Sequence, residues 1–578
     1  MDKPFATLEP SNASAKLAFS EVCHDILSRS QQTTQDKPFS AHCMVVENEQ
    51  IYDKDVLQFQ RERAKREAKR DELDSDGSLT ECDSDVENEL RPFGMIWSGH
   101  YILQLNPRPR TTVGWTVGRM LESDGPSMPL CTPSFLESQG DRIRSFHARF
   151  QFHLDNKAFF VALMSRSGVG VAINGQPVGI MPHTINQSSV RIQVCSLEYI
   201  FKFSDYSYSD TYNEERQRYM STLPTYIARP EHSDFEMPTP QRGTTTIGQW
   251  ALSRPLGKGS LGKVYLASNW KNEVVAVKTI QHDRNRGTSV DKEIAACRAL
   301  TDLAKKHEHG DRILQLKEII DPRTEASSST LAFVDVHLIL EPMTPKILTD
   351  VIHERRRSKL QPGRMSIETA TIFRDILLGL QVMHDNGWVH CDIKPANVGV
   401  RDGRAVLLDV GQAQQLPTGT RAMFSPAPGH GGTVNCLSPE REMSDWDQLA
   451  DVWSVGCIGF ELAYGRHPFK FTHNPWRRDT FSKNQASISS FKKMYQEAID
   501  KLSADHREHI EQSSANNLSA NEEPRFVHPG ALLIEMLRHK WAEQSQSKER
   551  ISIKTALEHS AWSPFLPDNR KSKRIRID

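Results

Sequence analysis

Residues 389–397 read Val389-His390-Cys391-Asp392-Ile393-Lys394-Pro395-Ala396-Asn397, and twelve residues after Asn397 comes Asp409, in Leu408-Asp409-Val410-Gly411. This stretch decides how the chain is read. It sets one carboxylate, Asp392, two places before Lys394 and five before Asn397, with a second carboxylate, Asp409, on the next apolar run. Those types at that spacing supply a group to orient and deprotonate a hydroxyl and a cation for developing negative charge. They also supply two oxygen donors of the kind a hard divalent cation takes. A lone acidic motif arises by accident, so the upstream residues carry the next test.

Leu256-Gly257-Lys258-Gly259-Ser260-Leu261-Gly262-Lys263-Val264 fits G-x-G-x-x-G-x-V between two apolar, strand-like runs. Glycines there let the backbone close over phosphates and offer them N–H groups. The pattern alone also marks dinucleotide-binding folds. Those folds enter a helix directly after the glycines, whereas here Val275-Ala276-Val277-Lys278 follows about a strand and a turn later. Glu293 lies fifteen residues beyond Lys278 in a helical pattern.

With these blocks in order, the chain resembles the eukaryotic-type serine/threonine protein kinases, whose loops are written H-R-D-x-x-x-x-N and D-F-G. Downstream, Gly432-Thr433, Ser438-Pro439-Glu440, Asp451-Val452-Trp453-Ser454 and Glu549-Arg550 continue the likeness, over about residues 249–565. The resemblance implies an α+β, two-lobed kinase fold with a small, mainly β lobe and a helical one. It implies ATP and Mg²⁺ as cofactors and protein hydroxyls as acceptors. In that frame Asp392 orients the hydroxyl and takes its proton, and Lys394 neutralises the γ-phosphate. Asn397 and Asp409 bind the metal, while Lys278, held by Glu293, grips the α- and β-phosphates. Leu256, Gly257, Gly259, Gly262, Val264 and Ala276 would surround the nucleotide. Leu340 would precede the hinge, with backbone groups of Glu341 and Met343 meeting adenine. Asp451 would tie down the catalytic-loop backbone, and Arg550 would pair with Glu440.

Two residues depart from the family. Cys391 replaces the arginine that an activation-segment phosphate pairs with, which removes one electrostatic switch. Val410 replaces the phenylalanine after the metal-binding aspartate. Neither removes a group expected to touch ATP or metal. Two rival classes remain: a catalytically inactive scaffold, against which Lys278, Asp392, Asn397 and Asp409 all stand, and a small-molecule phosphotransferase, against which Ser438-Pro439-Glu440 and Asp451-Val452-Trp453-Ser454 stand. Lys394 favours serine or threonine over tyrosine as acceptor.

The chain has 578 residues, net charge −1 and 38% hydrophobic residues, so no global charge points to nucleic acid or a membrane surface. Nine cysteines at 23, 43, 82, 131, 195, 297, 391, 436 and 457 form no C-x-x-C pair, which predicts reduced thiols in cytosol or nucleus. No apolar run of signal-peptide or membrane-spanning type occurs.

Ahead of the kinase-like part, residues 1–93 are expected to be mostly disordered. Residues 1–50 are polar. Arg61–Arg70 has the composition of a charged helix, and the acidic run from Asp71 to Glu89 carries Ser75, Ser78 and Ser84. Residues 94–205 alternate short β-rich runs with Gly, Pro, Asn and Ser, the pattern of a β-sandwich. Gly118-Arg119, His147 and Asn174-Gly175 there resemble a forkhead-associated domain, which implies recognition of phosphothreonine proteins by Arg119 and Ser145. Arg144 stands where that family has serine, and Ser165-Arg166-Ser167-Gly168 lacks its asparagine. The alternative is a β-domain that docks without reading phosphate. Residues 206–248 read as a linker, 472–527 as an insertion in the large lobe, and 566–578 as a basic tail, either a nuclear-import signal or a solvated end.

This domain order resembles the DNA-damage checkpoint effector kinases. The Ser/Thr-Gln pairs at Ser30, Thr34, Ser138 and Ser545 add nothing, since composition alone gives about four.

Overall fold

The computed structural model describes residues 3–32, 39–74, 94–106, 113–121, 125–139, 142–164, 170–179, 181–223, 236–258, 262–282, 287–324, 334–417, 423–425, 433, 435–469, 485–515, 526–539 and 549–565. Ser75, Ser78, Ser84, residues 165–168, Gly259, Gly432 and the basic tail lie outside them. The chain divides into two compact units, residues 1–256 with 265–274 and residues 257–264 with 275–578.

The first unit carries strands β1 (Ala6–Pro10), β2 (Met44–Tyr52), β3 (Met95–Leu103), β4 (Trp115–Arg119), β5 (Met128–Cys131) and β6 (Ala148–Phe152). It continues with β7 (Phe159–Leu163), β8 (Val171–Ile173), β9 (Gln176–Pro177), β10 (His183–Thr184), β11 (Ser189–Val194) and β12 (Leu197–Phe203). Its helices are α1 (Ala13–Gln32), α2 (Phe39–His42), α3 (Lys54–Asp74), α4 (Pro133–Gln139) and α5 (Asp210–Met220). One sheet runs β2-β3-β1-β12-β11-β8-β9 and the other β10-β7-β6-β4-β5. Alternation sets the faces. On β12, Leu197, Tyr199, Phe201 and Phe203 are buried while the residues between them are not, as a period of two requires. The sheets share one core, with Phe150 stacked on Phe201 at 6.0 Å between centroids.

Two expectations are corrected here. The N-terminal region is not open chain up to residue 93. β1 lies between β3 and β12, pairing Ala6 with both Leu103 and Phe203. The helix α1 lays Ala15, Ala18, Phe19, Val22, Cys23 and Ile26 against the sandwich, a stripe at helical spacing. Nor is the stretch after Phe203 simply a linker. Ser209 caps α5 by accepting from Tyr212 N at 3.2 Å. Tyr212, Arg216 and Tyr219 are buried on one face, and their rings reach Phe5 (5.6 Å, from Tyr212) and Trp115 (5.7 Å, from Tyr219).

The kinase-like part begins with β13 (Thr246–Ile247), β14 (Trp250–Lys258), β15 (Gly262–Ser268), β16 (Val274–His282), β17 (Gln315–Ile320) and β18 (Val334–Glu341), in the sheet order β13-β14-β15-β16-β18-β17. Helix α6 (Gly287–Ala304) precedes β17. The helical part of the second unit holds α7 (Leu348–Arg357), α8 (Ile367–His384), α9 (Pro439–Met443), α10 (Leu449–Tyr464), α11 (Gln485–Ala515), α12 (Gly530–Met536) and α13 (Ile553–Leu557). Short strands β19 (Lys346–Ile347), β20 (Met365–Ser366), β21 (Trp388–Val389), β22 (Val398–Arg401), β23 (Arg404–Leu407), β24 (Gln414–Gln415) and β25 (Phe526–Val527) edge it.

Helix α10 is buried along almost its whole length and ends at Gly465, whose positive φ closes the helix. The stretch read as an insertion contributes to this core. Phe491 and Tyr495 of α11 pack on Trp453 of α10, and Tyr495 Oη donates to Leu537 O at 2.8 Å. Among the described residues none of the eight cysteines is in a disulfide, and no helix is long and apolar enough to cross a membrane.

Candidate active site

Asp451, in the first turn of α10, organises the catalytic loop. Its Oδ2 accepts from His390 N at 2.8 Å and from His384 Nε2 at 3.0 Å, and its Oδ1 accepts from Cys391 N at 3.1 Å. Burial alone would raise this carboxyl, but the His384 and His390 donors outweigh it and hold it below the ordinary aspartate range. The loop is thus pinned by a charge whose every bond goes to its own backbone or to a histidine. His390 Nε2 donates in turn to Leu408 O at 3.0 Å, which ties the loop to the residue before Asp409. Cys391 and Asp409 both adopt positive φ, +69° and +51°. That conformation is costly for residues other than glycine and persists where the surroundings over-determine it.

Asp392 sits at the centre of three side chains. Lys394 Nζ lies 2.7 Å from its Oδ2, Asn397 Nδ2 donates to the same oxygen at 3.0 Å and to the Asp392 carbonyl at 2.9 Å, and Thr433 Oγ1 donates to Oδ1 at 3.1 Å. With both amide hydrogens of Asn397 directed at Asp392, its Oδ1 is the atom left for a cation.

Lys278 stands on β16, opposite Leu338, and Ala276 lies opposite Leu340 on β18. Its Nζ contacts Glu293 Oε1 at 2.5 Å and Asp409 Oδ1 at 2.7 Å. Burial opposes the lysine's charge, yet the Asp409 and Glu293 carboxylates overcome this and hold it above the usual lysine range. Asp409 is held low by the same pairing, against its own burial. Breaking a buried pair of this kind by removing one partner costs about 3–5 kcal/mol. Gly411 protects the arrangement. A Cβ there would stand 3.0 Å from the Glu293 carboxyl carbon, so any side chain would press on the partner of Lys278.

The remaining expected residues fall at the ends of strands. Leu256 and Gly257 are exposed on β14, Gly262 opens β15, and Val264 is half-buried on it. Glu341 ends β18 and turns its carboxylate to Lys317 at 2.8 Å, so the backbone alone is offered there. Met343 is buried. The connection holding it continues to Thr344, whose side chain packs on Gly399, two residues past Asn397. Glu440 takes the Arg550 guanidinium, which also donates to Leu449 O at 2.8 Å and Arg538 O at 3.1 Å. Two participants escaped the sequence reading. His384 is signalled only by its place in the last turn of α8, and Arg441, which donates to Cys391 O, only by following Pro439-Glu440.

A protein kinase domain family matches residues 250–562, more than half of the chain. Among similar proteins, the dual specificity protein kinase TTK of Mus musculus is 25% identical over 240 residues, 39% of this chain and 25% of the relative. The serine/threonine-protein kinase pkn2 of Myxococcus xanthus is 26% identical over 326 residues, 55% of this chain and 34% of the relative. Aurora kinase C of Mus musculus is 27% identical over 239 residues, 41% of this chain and 77% of the relative. The chain thus spans about a quarter to a third of the length of these first two relatives, and the family match covers Lys278, Asp392, Asn397 and Asp409. The α+β fold of residues 250–562, the buried lysine–glutamate pair and the aspartate fixed from α10 are therefore those of one family, and the chain belongs to the protein kinases.

Proposed function

We propose that the whole chain acts as an ATP-dependent serine/threonine protein kinase using Mg²⁺. The observation that carries this is the junction of Lys278, Glu293 and Asp409 in one ion-paired set, with Asp392 held separately by Lys394, Asn397 and Thr433. The donor set suits magnesium: a carboxylate on Asp409 and a free amide oxygen on Asn397 are hard oxygen ligands. Bound Mg²⁺ would neutralise phosphate charge. Asp392 takes the proton of the incoming hydroxyl, its two oxygens fixed so that the acceptor meets one orientation. Lys394, beside the same carboxylate, offers its charge to the transferring group. Lys278 is kept cationic by its carboxylate partners and is thereby ready for phosphate oxygens.

The test is transfer of labelled γ-phosphate to a mixed protein substrate, followed by phosphoamino-acid analysis. Phosphoserine and phosphothreonine are expected. Label in tyrosine alone, or only in small molecules, would overturn the reading.

For residues 94–205 we propose phosphothreonine recognition of the forkhead-associated kind. Gly118 lets β4 approach the loop before β6 so closely that a Cβ would lie 2.2 Å from Ser145 O. Arg119 N donates to Arg144 O at 2.8 Å, and Arg119 Nη2 to Ser145 Oγ at 3.4 Å. Arg119, Arg142, Arg144 and Ser145 line one open cleft of about 490 Å³. His147 beneath is buried and accepts from Arg144 N at 3.2 Å. Burial and the Arg144 charge push its pKa down, so it supports the loop as a neutral ring.

The intact chain, rather than residues 94–205 alone, should be probed with phosphothreonine peptides, because β1 and α1 belong to the same core. Arg119→Ala is expected to weaken phosphopeptide binding at least about tenfold, the loss of one charge-assisted contact. Equal binding of phosphorylated and plain peptides would leave only docking.

A further inference from the structure

The side of the catalytic loop that faces the segment after Asp409 is apolar. Cys391 is buried with Val389, Trp446 and Ala450, and Leu416 and Phe424 pack against the cluster. Burial pushes the Cys391 thiol up to about 12, so it is a neutral packing group here. Phe424 and Trp446 exchange both backbone hydrogen bonds, Phe424 N to Trp446 O at 2.8 Å and Trp446 N to Phe424 O at 3.0 Å. Their rings lie 4.5 Å apart, and Trp446 Nε1 donates to Ser425 O at 3.1 Å. The cation beside this cluster is Arg441, held by one main-chain bond through Nη1 and by an indole face, with Nε unpartnered among the described residues. Arg441 is buried, donates to the carbonyl of Cys391 and lies with its guanidinium 5.1 Å over the Trp446 ring. Leu416 N donates to Gly387 O at 2.7 Å, and Gln414 pairs with Val389, so the segment leaves Asp409 already joined to the loop.

We infer that Phe424 and Trp446 are positioning residues. They clasp the activation segment onto the catalytic loop through Cys391 and Arg441, and so hold Asp392 ready without a phosphate. The inference rests on the kinase reading and concerns the regulation of that same site. Packing at Cys391 takes the place of a charge pair, and a phosphate near this cluster would meet an indole face and a guanidinium already bonded to main chain.

The experiment uses the full chain from bacteria, before and after phosphatase, with Phe424→Ala, Phe424→Tyr, Trp446→Ala and Trp446→Phe. Phe424 is only half-buried, so its alanine variant keeps the fold even where Trp446→Ala does not. Wild type is expected to keep its activity within about threefold after phosphatase. Phe424→Ala is expected to lose about tenfold or more in kcat, with KM for ATP and the ATP-induced rise in Tm unchanged, and Phe424→Tyr to restore it. Trp446→Ala should do the same or more, and Trp446→Phe should retain most of the rate. Phe424→Ala at the wild-type kcat, or a wild type that phosphatase silences, overturns the clasp. A wild type that transfers no phosphate at all overturns the kinase reading, and this inference with it.

Discussion

Replacing Asp392 by asparagine is expected to slow phosphoryl transfer by about a hundred- to ten-thousandfold, the range a positioned general base supplies. The change is isosteric, so it leaves the loop's packing in place and removes the acceptor. It also disturbs the local bonding. Lys394 and Asn397 both give hydrogens to Oδ2 and Thr433 gives one to Oδ1, so an amide nitrogen at either position faces a donor. A single-turnover assay with saturating ATP isolates the step. The binding of ATP should stay close to wild type, since Lys278, Glu293 and Asp409 form a separate set. A rate within about tenfold of wild type would mean that another group takes the proton.

The second large effect is on stability. Asp451→Ala should cost at least about 3 kcal/mol, because it strands the backbone N–H groups of His390 and Cys391 in a buried place and deprives His384 of its acceptor. Cys391 has a further reason to move, as its positive φ is maintained from outside. Denaturant unfolding, followed with ATP binding, reads both consequences. An unchanged midpoint would show that the loop is held elsewhere.

Acid should act through the same group. Its folded pKa lies below its ordinary value of 3.8, so its contribution is present in full above that value and is lost as pH falls through the lower one. Glu440, held low against its burial by Arg550, adds with the same sign. Asp451→Asn is therefore expected to flatten the acid limb of a stability–pH curve while lowering its plateau.

The phosphate-handling half of the molecule was legible because its chemistry demands particular residue types within a few positions of one another. Asp392, Lys394 and Asn397 sit on one loop, and Asp409 opens the next turn. Pairings across the fold were harder. Arg441 acts through a single bond to a carbonyl, which no side-chain pattern announces. The buried face of α5 reads Tyr212, Arg216, Tyr219 amid charged neighbours, so its stripe is masked by an arginine whose guanidinium lies over the Tyr212 ring. In α11 the anchoring side chains Phe491 and Tyr495 are spaced for a helix but surrounded by lysines and glutamates, which gave the look of an appendage. The strand β1 is five residues long and ends at Pro10, too short to show alternation, and its partners lie far along the chain.

That last distance has a consequence for how the protein comes into being. Phe203 pairs with Ala6, so the first strand leaves the ribosome and must wait for nearly two hundred more residues before its second neighbour exists. At translation speeds of about 5–20 residues per second, the delay is roughly 10–40 s. Throughout it, Phe5 and Leu8, buried in the finished domain, lack the strand that covers them on that side. Nascent-chain chaperones have their opportunity in that interval.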